Sequence, residues 1–161
     1  MVEQISTIKD KVRERYSKIA LAEDNNNNNS DCCCCIAAVN NNNGNNCNES
    51  LSATQSLKLI GYDAKELDSI PTSSILGVGC GAPVQYANLQ EGETVVDLGS
   101  DAGIDVFLAA NKVKNLGRVI GIDMPDEMLE KGRKNAKENG YTNVEFRKGD
   151  IEKRILLRII A

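Results

Sequence analysis

Three carboxylates sit at or just past the ends of apolar runs. Asp97 lies in Thr94-Val95-Val96-Asp97-Leu98, Asp101 lies in the turn Gly99-Ser100-Asp101-Ala102-Gly103, and Asp123 closes the run Arg118-Val119-Ile120-Gly121-Ile122. A third run, Asn143 to Arg147, leads into Gly149-Asp150-Ile151. Gly99 and Gly103 let the backbone turn sharply and let a ligand lie against it. An acid ending the second run, about 20 residues past the loop, can accept both hydroxyls of an adenosine ribose. Asp150 would then hydrogen-bond the adenine edge and Ile151 would pack on its face. Met124, beside Asp123, joins the expected contacts.

The loop discriminates between adenosine cofactors. A dinucleotide sets its pyrophosphate on a helix N-terminus and asks for glycine at the middle of the loop. Here Asp101 stands there, and a carboxylate facing a pyrophosphate is repulsive. S-adenosylmethionine carries no phosphate. Its sulfonium and ammonium groups suit Asp97 and Asp101. A βαβ turn holding no ligand is the plain alternative for a glycine-rich loop. The acids after the second and third runs are what favour a cofactor site.

Chemistry elsewhere is constrained by composition. The 161 residues contain no histidine, so the commonest general base near neutral pH is absent. Cys32, Cys33, Cys34, Cys35, Cys47 and Cys80 lack the paired spacing of a zinc ribbon or a secreted disulfide framework. A net charge of −4 gives no reason to expect nucleic acid or an anionic membrane as partner. No apolar run is long enough to span a bilayer, and the charged start is unlike a secretory signal. The expected compartment is the cytoplasm, with the thiols reduced.

The elements that must position these groups follow from periodicity. Ile5, Ile8, Val12, Tyr16, Ile19 and Ala20 recur at helical spacing, so residues 1–24 read as an N-terminal helix. Residues 25–50, with runs of asparagine and cysteine, form a low-complexity loop that cannot bury a core. Residues 51–161 read as the cofactor domain. Short helical pieces are expected over 63–69 and 84–89. Strands follow at 94–98, 118–123 and 143–147, with helices over 103–113 and 125–139. That order implies an α/β, doubly wound, Rossmann-like fold with parallel strands.

Further elements narrow the family. Gly61-Tyr62, Pro71, Gly79-Cys80-Gly81-Ala82-Pro83, Glu91 to Ser100, Gly121-Ile122-Asp123-Met124, Asp126-Glu127-Met128 and Asn143 to Asp150 together resemble the arsenite methyltransferases. The resemblance implies methyl transfer from S-adenosylmethionine to As(III), a small metalloid substrate. It places Tyr16 near the cofactor and makes a cysteine of the 32–35 run, Cys32 or Cys33, one of the arsenic thiolates. As(III) is soft and thiophilic, and its lone pair would attack the methyl group, so no histidine base is needed. A different small-molecule acceptor, such as a quinone precursor or lipid, stays open, as does a catalytically incomplete cofactor-binding fragment. Departures from the family are Asp101 and Ala82, where glycine and asparagine are usual. The family's later strands, later cysteine and C-terminal metalloid region have no counterpart before Ala161, so the fold is expected to stop after its third parallel strand.

Bland readings stand beside these. Cys80 reads equally as a buried structural thiol. Tyr16 fits a helix core. Asp105, Asp126 and Glu127 fit helix-start charges. The Lys131 to Lys137 stretch reads as a solvated face.

Overall fold

The computed structural model describes residues 2–22 and 52–152, with the side chains of 2–6 left aside. Cys32, Cys33, the Asn/Cys tract and the tail from Ile155 lie outside the described residues.

The core of the fold is a parallel ladder. Strands β1 (Thr94–Leu98), β2 (Arg118–Asp123) and β3 (Val144–Lys148) lie in the order β1-β2-β3. Thr94 pairs with Arg118 and Leu98 with Ile122, while Val119 pairs with Val144 and Asp123 with Lys148. β2 is central, and its residues from Val119 to Asp123 are all buried. That explains its near-continuous apolar sequence, the mark of a strand covered on both faces. β1 is less covered: Val95 to Asp97 are half-buried and Leu98 is exposed.

Two helices cross between the strands. α4 (Ile104–Val113) buries Ile104, Val106, Phe107, Leu108, Ala109, Ala110 and Val113. α5 (Asp126–Glu138) is amphipathic, burying Met128, Leu129, Gly132, Asn135 and Ala136. Pro125 precedes it as the cap, and Asp126 and Glu127 fill its first turn. The Phe146 ring joins these parts. A Cβ at Gly132 would sit 2.7 Å from Phe146 Cζ, and one at Gly103 would sit 2.7 Å from the same atom. One aromatic ring of β3 therefore sets the closeness of both helices' backbones.

The segment before β1 departs from expectation in two places. A helix, α2 (Ala53–Leu59), precedes the expected short one, capped by a reciprocal Ser52–Gln55 box. α3 (Ala64–Leu67) follows, with the Asp63 carboxylate accepting from the Lys65 and Glu66 amides. Instead of a helical piece over 84–89, only Pro83–Gln85 forms a 3-10 turn. Asn88 takes a left-handed φ of 47°, which ends helical propagation there.

Helix α1 (Val2–Ala22) packs against α5. Its expected apolar stripe is only partly used, since Ile8 and Val12 are exposed. The contacting face is rotated toward Lys9, Tyr16, Ser17 and Ala20. Ser17 donates to Glu127 across 2.7 Å, and Lys131 donates to the Ala20 carbonyl across 3.1 Å. Arg133 donates to the Phe146 carbonyl. The basic stretch of α5 thus holds neighbouring elements as well as facing water.

Candidate functional site

The turn between β1 and α4 is built on the end of β2. The amides of Gly99 and Ser100 both donate to the Ile122 carbonyl, at 2.8 and 3.1 Å. Gly99 takes φ 83° and Gly103 takes φ 100°, values that L side chains rarely adopt. Asp101 lies between them at φ 46°. Its amide donates to Asp123 Oδ2 across 2.6 Å, and the Met124 amide donates to Asp123 Oδ1 across 2.6 Å. Ser100 is buried, and its Oγ is without a hydrogen-bond partner. A Cβ at Gly121 would lie 2.8 Å from that Oγ, so the glycine in β2 makes room for Ser100 against the sheet.

Electrostatics single the site out. Burial pushes the Asp97 carboxyl up to about 7, and the Asp105 and Asp123 charges push the same way. Burial likewise pushes Asp101 up to about 7, aided by Asp123, Asp97 and Asp105. Asp123 is raised by burial although its two backbone donors pull it down. Asp105 is raised by burial, opposed by a hydrogen bond from Tyr62. Four carboxylates thus share one half-buried region, in which neighbouring charges disfavour ionisation of Asp97 and Asp101. A cation placed among them would relieve that cost.

The remaining expected residues border this region. Gly149 donates its amide to the Asp123 carbonyl across 2.9 Å, which brings the end of β3 to the end of β2. Asp150 pairs with Lys9 Nζ at 3.0 Å, and Ile151 is exposed. Tyr16 is half-buried in a cluster with Ala20, Ala102 and Met128, so it lies behind the loop at Ala102. Asp97, Gly99, Ser100, Asp101, Gly103, Asp123 and Met124 are therefore gathered at one end of the sheet, with Asp150, Ile151 and Tyr16 at its margin. Cys80 is exposed, which corrects the reading of it as a buried structural thiol. The run ahead of it is held over α2 by glycine, with little apolar cover left for the thiol.

Sequence reasoning missed three participants. Tyr62 donates its hydroxyl to Asp105 Oδ2 across 2.8 Å. Asp105 does occupy the first turn of α4, yet it also faces the carboxylate group. Lys9 bridges Asp150 and Glu152. Periodicity carries no signal for any of them, because each pairs across a long stretch of chain.

Residues 89–158 match a family model described as a methyltransferase domain. Over this stretch the chain is thus similar to a methyltransferase domain. It is similar to the arsenite methyltransferase of Halobacterium salinarum, 43% identical over 143 residues, covering 89% of this chain and 35% of that protein. It is also similar to the arsenite methyltransferase of Aquipseudomonas alcaligenes, 39% identical over 88 residues, covering 51% of this chain and 24% of the relative. Among solved structures it resembles an RNA methyltransferase from Salinibacter ruber in complex with S-adenosyl-L-homocysteine. That likeness has 38% identity and a TM-score of 0.39, and covers 44% of this chain and 45% of the other. The chain thus spans about a third of the length of its Halobacterium relative. The matched stretch encloses the whole loop, Asp123 and the end of β3. Among the described residues no helix is long and apolar enough to cross a membrane.

Proposed function

We propose that this domain binds S-adenosylmethionine at the β1–α4 loop and serves methyl transfer to As(III) held by thiolates. The observation that carries the cofactor reading is the meeting of Asp97, Asp101 and Asp123 with no cation acting on them among the described residues. A bound S-adenosylmethionine supplies a methyl group on a sulfonium. Asp123 would take the ribose hydroxyls: each of its oxygens accepts one amide and keeps a further lone pair. Asp97 and Asp101 would face the ammonium and sulfonium charges. Gly99, with nothing within 4 Å of its missing Cβ, leaves the backbone open to the ligand, Gly103 lets the loop close onto Phe146, and Ser100 braces the loop from below. Asp150 would meet the adenine edge, with Ile151 on its face and Met124 beside the ribose. Tyr16 would flank the cofactor from α1.

The metalloid half of the proposal is supported by likeness to two arsenite methyltransferases and by the exposed Cys80. Cys80 would share As(III) with Cys32 or Cys33, as thiolates suit a soft centre. Burial of the reactants side by side would then do most of the work, through proximity and alignment.

Calorimetry with S-adenosylhomocysteine and S-adenosylmethionine tests the cofactor reading. Saturable heat is expected, and a folded chain giving none at millimolar ligand would overturn it. Incubation with arsenite, S-adenosylmethionine and a thiol, followed by chromatographic arsenic speciation, tests the acceptor. Methylated arsenic is expected. Methylation of a quinone precursor, lipid or RNA with arsenite left untouched would sink the acceptor and leave the cofactor standing.

A further inference from the structure

The loop carrying Cys80 and the loop carrying the carboxylates are joined by one buried side-chain contact. Tyr62 is 4% exposed, and its hydroxyl donates to Asp105 Oδ2 at 2.8 Å across 43 positions of sequence. On one side, Tyr62 supports the cysteine loop. A Cβ at Gly79 would meet Leu57 Cδ2 at 3.1 Å, Ile60 Cδ1 at 3.4 Å and Tyr62 Cε2 at 3.6 Å. The Gly79 backbone, one residue before Cys80, therefore rests on Leu57 and Ile60, with the Tyr62 ring completing the same seat. A Cβ at Gly61 would meet Ala82 Cβ at 4.0 Å, so the loop's far end is seated on the same turn.

On the other side, Asp105 stands two residues after Gly103, in the first turn of α4. Its second oxygen, Oδ1, is buried without a hydrogen-bond partner. Its charge reaches both Asp97 and Asp101. Burial, with Asp105 nearby, drives the Tyr62 phenol far up, so it remains a donor at any physiological pH.

We propose that Tyr62 and Asp105 are a positioning pair, which couples the placement of Cys80 to occupancy of the carboxylate-lined site by a cationic adenosine cofactor. The inference rests on the cofactor reading above. The hydroxyl holds Asp105 in one rotamer, and the ring transmits that position to Gly79 and Cys80. Neither residue is asked to touch the reacting atoms. A ligand that reorders the loop from Gly99 to Gly103 shifts the first turn of α4, and the thiol follows.

The test uses the full chain. The alkylation rate of Cys80 by iodoacetamide is followed by peptide mass mapping, with and without saturating S-adenosylmethionine. Wild type is expected to change rate by about fivefold on cofactor addition, the size of one hydrogen bond's coupling. Tyr62→Phe keeps the ring and loses the hydroxyl. It should bind S-adenosylmethionine within about twofold of wild type by calorimetry and lose the change in rate. Asp105→Asn keeps an acceptor for the phenol and should retain the change in rate. An equal cofactor effect in wild type and Tyr62→Phe overturns the proposal, as does a wild type that binds cofactor with no change at Cys80. If wild type binds no cofactor, the cofactor reading fails by itself. The pair is then judged by amide exchange across Gly79 to Ala82, which Tyr62→Phe should accelerate and Asp105→Asn should leave alone. Equal exchange in all three forms overturns it.

Discussion

The Asp101 amide and the Asp123 carboxylate meet across 2.6 Å, so the middle residue of the loop is fastened by the acid ending the next strand. The second oxygen of Asp123 holds the Met124 amide. One buried carboxylate thus fixes the loop and the start of the next connection together. Asp123→Ala leaves both amides without an acceptor, at a cost of about 1–3 kcal/mol. Thermal unfolding should shift down by several degrees, and calorimetry should show S-adenosylhomocysteine binding weakened by at least about tenfold.

Stability should fall as pH rises through the acid range. Asp97 and Asp101 hold their protons up to about 7 in the folded chain, against 3.8 as the ordinary value. Between those limits the folded state binds more protons than the unfolded one, so raising pH favours unfolding. The contribution is on the order of 1.4 kcal/mol per pH unit for one such carboxyl, and less than double for two that interact. Above about pH 7 it levels off. Melting curves should show a smaller loss over this window for Asp97→Asn than for wild type. A cationic cofactor favours the ionised forms, so its binding should release protons and tighten with pH across the same window. Calorimetry in buffers of different ionisation heat reads that release.

Asp101→Gly should stabilise the fold. The left-handed φ of 46° costs a non-glycine residue on the order of 1 kcal/mol, and the substitution also removes one of the crowded carboxyls. A melting temperature a few degrees higher is expected. Affinity for cationic S-adenosylmethionine should drop relative to neutral S-adenosylhomocysteine. An unchanged ratio of the two would show that Asp101 does not sense the sulfonium.

Gly103→Ala should do the reverse. Its Cβ would meet Phe146 Cζ at 2.7 Å and Phe107 Cε2 at 2.9 Å, at a φ of 100°. Overpacking and backbone strain together should cost roughly 2 kcal/mol or more. Chemical denaturation should show a lower midpoint with an unchanged slope.

Much of this was legible in the chain. β1 and β2 stood out because β-branched residues crowd into short runs bounded by glycine or proline. α5 stood out because Pro125, Asp126 and Gly140 punctuate it. α2 was hidden: Leu57 is its one buried residue, too little for a period to show, although Ser52 and Gln55 have capping-box spacing. The Tyr62–Asp105 contact had no local signal, since its partners lie 43 positions apart. Lys9 was hidden for the same reason, as its link to Asp150 spans 141 positions. The shifted face of α1 follows from that pairing, which turns Lys9 toward β3 and leaves Ile8 outside.

Lys9→Ala should leave the sheet and its helices folded, because the half-buried ion pair lies outside the apolar core. It should loosen α1 from the end of β3 and weaken cofactor binding several-fold at low salt. The difference should fade near molar salt, where charges are screened within about 3 Å.

The order β1-β2-β3 repeats the order of the chain, and its paired residues are 24 and 25 positions apart. Each ladder therefore closes a loop of similar, modest length, and the entropy of closure is nearly the same at both steps. The bond from Asp101 to Asp123 belongs to the first of these closures. During synthesis the frame of the cofactor loop can thus be complete once β2 has joined β1, before β3 has left the ribosome.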